Sequence, residues 1–320
     1  MNQSNKKISL SALLTEELAG MRLDQALAKL FPEYSRSRIQ QWIQNQQVWV
    51  DGQLLRSKDK IKTQQRVEIS ADIPIVADWQ GQDMAIPILY ADDYIFVINK
   101  PAGIVVHPAA GNPDRTVVNA MLHLDPELAL LPRAGIVHRL DKNTSGVMVI
   151  ARNLIAHHSL VSQIHNRQVK REYLAIANGL LTGGGTVNAP IGRHPSARTR
   201  MAVVDSGKLA ITHYRLLKHL FNYTYLKVTL ETGRTHQIRV HMAHIGHPLL
   251  GDPVYGGRLK IPPACPDELK SVLTAFKRQC LHAHRLTLTH PQTGEVMSWE
   301  APLADDFQHL LDILNTVVDD

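Results

Sequence analysis

Short strand-like runs dominate the chain after residue 86, and they constrain the fold more than any other feature. Apolar runs separated by turns occupy residues 88–108, and further β-like runs follow at 173–177, 210–217, 223–230 and 284–288. Helical patterns are fewer, and the best of them lie at 116–124, 154–166 and 303–318. Such a mixture favours antiparallel strand pairing over alternating βαβ units. The sequence therefore predicts an α+β domain built on a mixed, largely antiparallel sheet with flanking helices.

A smaller unit precedes this domain. Residues 22–31 carry the apolar stripe of a short helix that Pro32 ends, and Ser35 is a suitable N-cap for a second helix. The apolar face of that second helix contains Ile39, Trp42 and Ile43. The segment VWVDGQLL then predicts a β-hairpin around its Asp-Gly pair, and a short strand follows at 66–69.

These patterns give the domain organisation. We predict an N-terminal tail at 1–17, the small domain at 18–72, a linker at 73–86 and the large domain at 87–320, which ends in an acidic helix. The linker assignment depends on the stretch 71–87, which has prolines at positions 74 and 87, three aspartates and little periodicity.

Charge is distributed unevenly along the chain. The formal net charge is +6, but residues 295–320 hold seven acidic side chains and no Lys or Arg, so residues 1–294 carry +13. Residues 20–70 alone hold nine basic and five acidic side chains. A surplus of this size favours a polyanionic partner, because each phosphate that Lys or Arg neutralises releases counterions.

Cysteine content and hydropathy indicate in which cellular compartment the protein is expected. Only Cys265 and Cys280 are present, without a CxxC pairing, so a disulfide framework is not expected and a reducing cytoplasm fits best. No uninterrupted apolar run approaches the roughly eighteen residues that a membrane helix requires. We therefore expect a cytoplasmic protein without membrane association. The absence of heptads favours a monomer.

Four histidines within twelve residues suggest a metal site: His236, His241, His244 and His247. Metal-binding histidines usually share their site with carboxylates or thiolates, and the nearest acid downstream is Asp252. We therefore predict no metal site here.

A polar loop between two apolar runs contains a carboxylate among cations. In GIVHRLDKNTSGVMVIA, Asp141 lies between His138-Arg139 and Lys142. Asp141 or Asn143 could simply cap a backbone amide in a surface turn. A carboxylate surrounded by cations is alternatively held ionised and oriented, as catalysis requires.

A second polar segment lies at 230–256. Gln237, Arg239 and His241 alternate with apolar residues, a pattern that predicts a strand with the polar side chains on one face. Arg239 could project from it towards a carboxylate, or form a salt bridge that only stabilises the sheet.

Together these segments resemble the successive signatures of one enzyme family. GIVHRLDKNTSGVMVIA, KREYLA, GRTHQIRVHMAHIGHPLLGDPVYG and LHAHRLTLTHP look like the motifs of the RluA family of pseudouridine synthases, and NKPAGIVVHP fits the same family. The resemblance covers residues 86–305. Residues 18–72 resemble the S4 RNA-binding domain, although a helical unit that merely packs on the large domain would have the same pattern.

The resemblance implies a pseudouridine synthase fold and an activity. Such an enzyme breaks the N1–C1′ bond of a uridine and rejoins the base through C5, without metal or cofactor. Asp141 would act on the ribose, as nucleophile or base, and Arg239 would be its partner. Arg139 would enter the space left by the flipped nucleotide, and Tyr173 would pack against the flipped base, unless it is an ordinary core aromatic.

The resemblance also implies an RNA partner, 23S ribosomal RNA. Candidate RNA-binding residues of the small domain are Arg36, Arg38 and Lys58, and those of the large domain are Arg193, His194, Arg198 and Arg200. Three alternatives remain open: a synthase acting on transfer RNA or another ribosomal site, a non-catalytic RNA-binding assembly factor, and a metal-dependent hydrolase.

Overall fold

The computed structural model describes residues 6–31, 34, 36–73, 79–109, 111–197 and 199–319. The regular elements of the N-terminal unit are β1 (Lys6–Leu13), α1 (Leu23–Leu30), α2 (Arg36–Gln44), β2 (Val48–Val50) and β3 (Arg66–Ile73).

The N-terminal unit packs two helices on a small antiparallel sheet with strand order β1-β3-β2. The apolar stripe of α1 is buried, and Ile39, Trp42 and Ile43 of α2 are buried as well. Both helices share one hydrophobic cluster with the inward residues of β3. The two predicted helices and the apolar face of the second are therefore confirmed, whereas Pro32 and the predicted N-cap Ser35 lie outside the described residues.

Two predictions in this unit are wrong. Residues 6–13, placed in a tail, form β1, which pairs with β3 along all of its length. The predicted hairpin is reduced to a single bridge, Val50 with Gln53, across the turn at Asp51-Gly52. The partner of β2 is instead β3, because the alternating Val67 and Ile69 of that strand bury against the helices.

The large unit contains the remaining regular elements. In chain order they are β4 (Ile88–Ala91), β5 (Ile95–Lys100), α3 (Val117–Leu124), β6 (Ser145–Ala151), α4 (Leu154–His165), β7 (Lys170–Asn178), β8 (Gly185–Asn188), β9 (Ile191–Arg193), β10 (Met201–Val203), β11 (Ile211–Leu220), β12 (Tyr223–Leu230), α5 (Gln237–His244), α6 (Asp267–Ala275), β13 (Leu281–Thr289), β14 (Val296–Glu300) and α7 (Asp305–Asp319).

One large sheet organises these elements, with the order β4-β5-β6-β13-β7-β12-β11-β8 and β14 paired to β13. Its described strand pairs are antiparallel except β6 with β13. The predicted α+β class and largely antiparallel sheet are confirmed. The helices predicted at 116–124, 154–166 and 303–318 correspond to α3, α4 and α7. Central β6 is buried at every position, since both of its edges and both of its faces are covered.

The strand predicted around Arg239 is wrong, because this segment forms the helix α5. Gln237 and His241 are four residues apart, so they share one helix face, and both hydrogen-bond the Thr212 hydroxyl of β11. Residues 237–242 are all buried. The polar side chains of this segment are therefore satisfied by buried partners, and their alternation with apolar residues does not indicate a solvent-facing side.

The C-terminal helix α7 is amphipathic. Phe307, Leu310 and Leu314 are buried in a cluster that also includes Leu269 and Leu273 of α6. Its acidic residues lie at the two ends and on the exposed side. Within the part of the chain that the structure describes, no helix combines the length and the apolar character needed to span a membrane.

Candidate active site

A cavity of about 640 Å³ opens in the large unit. Its walls come from residues 136–141, the first half of β7 and residues 230–239. Asp141, Tyr173 and Arg239 all line it. The fold therefore brings together residues that lie as far as 98 positions apart in the chain, as Asp141 and Arg239 do.

Asp141 and Arg239 form an ion pair at the wall of this cavity. The Nη1 group of Arg239 donates to Oδ2 of Asp141 at 3.1 Å. The Arg239 side chain is 5% exposed and that of Asp141 16%. Because water is largely excluded from the pair, its mutual attraction is stronger than at an open surface.

Asp252 fixes the guanidinium of Arg239 from the opposite side. Its two oxygens accept from Nε and Nη2 of Arg239 at 2.7 and 2.8 Å, in a bidentate arrangement. Burial alone raises the pKa of Asp252, but the Arg239 hydrogen bonds and the amides of Val254 and Tyr255 outweigh it and lower the pKa. Arg239 thus presents only its Nη1 edge to Asp141.

Tyr255 and His236 complete this cluster. The Arg239 guanidinium lies over the Tyr255 ring, with 5.0 Å from Cζ to the centroid. The Tyr255 hydroxyl accepts from the Met201 amide at 3.0 Å and is 2.8 Å from Nδ1 of His236. Burial lowers the pKa of His236, and its Nε2 lies 3.9 Å from Oδ1 of Asp141.

Lys100 anchors the residue that follows Asp141. Its fully buried ammonium donates to the carbonyl oxygens of Pro101, Ile104 and Lys142 at 2.8, 2.9 and 3.1 Å. Burial lowers the pKa of Lys100 to about 7, against the opposing attraction of the Asp141 charge. Three acceptors match the three N–H groups of a protonated ammonium. Lys100 therefore ties two loops together directly behind the carboxylate.

Arg278 and Gln279 hold the next two residues of the loop. Arg278 donates to the Asn143 carbonyl at 3.2 Å, and the Gln279 amide donates to the Thr144 hydroxyl at 3.0 Å. Arg278 is held in turn by the two oxygens of Asp306 on α7, both at 2.6 Å. The acidic C-terminal helix is thereby connected to the Asp141 loop.

The remaining predicted residues of this site differ in exposure. Tyr173 lies on β7 between β12 and β13, almost wholly buried, with its side chain against the cavity, and burial raises its pKa. Arg139 is exposed at the mouth of the cavity. Of the two apolar runs that flank the Asp141 loop, the second forms β6, whereas Ile136 in the first makes only an isolated bridge with Ile150.

Of the predicted RNA-binding residues of the N-terminal unit, Arg36 is held by a buried carboxylate, Asp24, together with Arg22. Arg36 donates from Nε and Nη2 to Asp24 at 3.0 and 2.7 Å, and Arg22 donates to the same carboxylate at 3.1 Å. Both arginine side chains remain 46% exposed, so they present cations to solvent in fixed positions. Lys58 is exposed and Arg38 is half-buried.

Predicted RNA-binding residues of the large unit lie near the β9–β10 hairpin. Arg193 and Arg200 are exposed, whereas Arg198 lies outside the described residues. His194 has a structural contact, because its Nδ1 accepts from the backbone amides of residues 196 and 197 at 3.3 and 3.2 Å. These residues are distinct from those that line the cavity.

Three of the four clustered histidines hydrogen-bond different groups, and the fourth, His244, is exposed. His241 bonds Thr212 and the Ala189 carbonyl, His247 bonds the Asn178 carbonyl, and His236 bonds Tyr255. Within the ranges that the structure describes, no group of three or more His, Cys, Asp or Glu side chains could hold a metal ion.

Comparison with known proteins identifies the family. The sequence profile described as RNA pseudouridylate synthase matches residues 94–244, and the S4 domain profile matches residues 21–67. The chain is 53% identical over 298 residues to the ribosomal large subunit pseudouridine synthase D of Pseudomonas aeruginosa, covering 93% of each protein. The chain belongs to the pseudouridine synthase family. The synthase of the same name from Escherichia coli K12 is 51% identical over 310 residues, which are 97% of this chain and 95% of that protein.

Solved structures of pseudouridine synthases agree with this assignment. Human RNA pseudouridylate synthase domain containing 4 is 27% identical, with a TM-score of 0.55, and the match covers 72% of this chain and 93% of that one. The human domain-containing 1 protein is 24% identical, with a TM-score of 0.53 over 73% and 96% of the two chains, and supports the fold alone.

Sequence reasoning missed several residues of this synthase site. Asp252 and Tyr255 lie in the GDPVYG segment, which was recognised without a role for either residue. Lys100 lies in NKPAG and Arg278 precedes LHAH. Their common signal is a position in or just before a family motif, but their partners depend on tertiary contacts that no local pattern contains.

Proposed function

We propose that this protein isomerises specific uridines to pseudouridine in 23S ribosomal RNA of the large subunit, with Asp141 as the essential catalytic residue. The observation that carries the proposal is the Asp141–Arg239 pair, 3.1 Å apart at the wall of a cavity of about 640 Å³. Its volume falls in the range of about 300–1,000 Å³ that is common for small-molecule pockets, so one nucleoside could enter. The ribosomal target rests on relatives named as ribosomal large subunit synthases at above 50% identity.

The chemistry needs one group that reacts with the sugar. The N1–C1′ bond breaks, the base rotates, a C5–C1′ bond forms, C5 loses a proton and N1 gains one. Asp141 acts either as a nucleophile at C1′ or as a base at C2′, and a carboxylate is suited to both roles. Arg239, held by Asp252, keeps the carboxylate aimed into the cavity.

The uridine has to leave the RNA stack before it can react, at a cost of roughly a few kcal/mol. Arg139 is exposed at the cavity mouth and would fill the space that the base leaves. Tyr173 faces the cavity and would pack against the flipped base, a contact of about 1–3 kcal/mol.

RNA affinity comes from cations outside the cavity as well. Arg36 is positioned by Asp24, and Arg38 and Lys58 belong to the same S4 domain. In the large domain Arg193, His194 and Arg200 contribute, together with Arg198. We further place this enzyme in the cytoplasm as a monomer; both of its cysteines are free thiols, as in proteins of reducing compartments.

Mapping pseudouridines in total RNA, from cells with and without this gene, tests the proposal. We expect specific positions of 23S ribosomal RNA to lose pseudouridine when the gene is absent and to regain it with the wild-type gene. Restoration by the Asp141→Asn gene would contradict a catalytic Asp141. If only transfer RNA lost pseudouridine, transfer RNA would be the substrate. If no position lost pseudouridine, the result would favour a non-catalytic assembly factor.

The connection from α7 to the Asp141 loop gives a further prediction. Asp306→Asn removes the charge that holds Arg278, so the Asn143 carbonyl and the loop lose a fixed contact. We expect the turnover rate to fall about tenfold with little change in KM, because small misplacements of a reacting group cost up to about 100-fold. The matched control is Asp305→Asn at the neighbouring exposed position. Equal rates for both variants would contradict the connection.

A further inference from the structure

Arg171 is a buried cation in the cavity with few hydrogen-bond acceptors and no carboxylate partner among the described residues. It is 8% exposed, and it lines the cavity beside Tyr173. Its Nη2 group donates to the Glu231 carbonyl at a long 3.4 Å, and its Nε group has no partner among the described residues. No carboxylate of the described residues lies within 4.0 Å of the guanidinium. Buried arginines are normally paired, so this one needs an explanation.

Arg171 lies beside Tyr173, the residue proposed above to pack against the flipped base. Arg171 and Tyr173 are two residues apart on β7, so their side chains point to the same face of the sheet. Gly233, which follows β12, leaves the necessary space for the guanidinium, since a Cβ atom there would lie 2.7 Å from Nη1 of Arg171. The positive charge also acts on His138, where it adds to burial in lowering the pKa to about 3.

Arg239 is the other buried arginine of the cavity, and two carboxylates pair it, whereas the remaining cavity arginines are exposed. Arg133, Arg139, Arg167 and Arg234 are exposed around the mouth, where the phosphates of an RNA strand would remain in contact with solvent. A group that reaches Arg171 has to enter the interior beside Tyr173. Of the parts of a flipped nucleotide, the base fits this description and the phosphate does not.

We propose that Arg171 donates hydrogen bonds to a carbonyl oxygen of the flipped uracil and thereby recognises the base that Tyr173 packs against. This inference rests on the proposed function. The uracil carbonyls are acceptors without ionisable protons, and the buried N–H groups of Arg171 can supply the donors they need. A site built in this way penalises any nucleotide that leaves its buried donors unpaired.

A binding cycle between protein and RNA tests the inference. All proteins carry Asp141→Asn so that no turnover occurs, and two RNAs are compared, one with the target uridine and one with an abasic nucleotide there. We expect Arg171→Met to weaken binding of the uridine RNA by about 10- to 100-fold, as for a hydrogen bond involving a charged group. Binding of the abasic RNA should change by less than about twofold.

Two further variants separate base recognition from a structural role. Gly233→Ala keeps Arg171 but displaces its guanidinium. It should therefore also weaken binding of the uridine RNA, without affecting binding of the abasic RNA. Arg171→Lys keeps the positive charge without the planar guanidinium, so it should lose less affinity for the uridine RNA than Arg171→Met does. The melting temperature of each variant shows whether it is folded under the conditions of the binding experiment. Equal losses on both RNAs for Arg171→Met, in a folded protein, would overturn the inference.

Salt dependence separates a base contact from a phosphate contact. Loss of one phosphate contact reduces the slope of log affinity against log salt concentration by about one. Arg171→Met should leave this slope unchanged. Arg167→Met, a substitution at the exposed mouth of the cavity, should reduce the slope and weaken binding of both RNAs equally. A lowered slope for Arg171→Met would assign this cation to a phosphate instead.

The outcomes also distinguish the two proposals. If the protein without Asp141→Asn fails to convert the uridine RNA, the proposed function is wrong. If it converts that RNA and Arg171→Met binds uridine and abasic RNA as the unsubstituted protein does, only the Arg171 inference is wrong.

Discussion

Asp141→Asn should reduce pseudouridine formation by more than about 1,000-fold while RNA affinity changes by less than about twofold. The substitution keeps the size and one acceptor for Arg239 but removes the anion that reacts with the sugar. Release of tritium from RNA labelled at C5 of uridine measures the reaction, because the C5 proton is lost in each turnover. Binding of the same RNA at equilibrium measures affinity.

An exposed acid is the appropriate control for this substitution. Asp93 lies in an exposed turn outside the cavity, so Asp93→Asn removes one negative charge without changing the site. It should release tritium at the wild-type rate. Turnover by Asp141→Asn at a rate similar to the control would exclude Asp141 as the reacting group.

Asp252→Ala should lower both the free energy of unfolding and the activity. Asp252 is buried and accepts two hydrogen bonds from Arg239 and two from the amides of Val254 and Tyr255. Its removal leaves a buried cation short of one partner, and breaking buried pairs in this way costs about 3–5 kcal/mol. Urea unfolding measures this loss. Tritium release measures the activity that disappears as Arg239 loses its orientation.

The pH dependence provides an independent check. The pKa of Asp252 is lowered in the folded protein, so the folded state binds its proton more weakly than the unfolded chain does. The stabilisation is therefore complete above the ordinary pKa of about 3.9, and it is lost as pH falls through the lower folded value. The difference in unfolding free energy between wild type and Asp252→Ala should shrink below about pH 4. A difference that stays constant there would contradict an ionised Asp252, and full activity in a destabilised variant would contradict its role in orienting Arg239.

The sequence predicted the elements whose signals are local. The alternation in 223–230 matches β12 without error, and the apolar stripe of α1 is buried as expected. The strand β1 and the helix α6 were missed, although Leu269, Val272 and Leu273 have helical spacing. The Arg239 segment was assigned to the wrong element, since a helix buried on every side has no solvent face to reveal its period.

The site was predictable only in part for a related reason. The proximity of Asp141 and Arg239 followed from the family resemblance, and the structure brings these residues together. Asp252, Lys100 and Arg278 act through backbone carbonyls or through another side chain, and such contacts depend on the folded arrangement of distant segments. The polarity and spacing of residues in the sequence therefore do not predict these contacts.

The loop that carries Asp141 is anchored at the carbonyl groups of Lys142 and Asn143, which Lys100 and Arg278 bind. Every amino acid supplies a carbonyl, so this anchor is indifferent to which side chains occupy positions 142 and 143. Side chains at these two positions can therefore differ, and the surface next to Asp141 with them, while the Asp141 carboxylate stays in place. Under the proposed function, such changes would alter the contacts with RNA without any compensating change around Asp141.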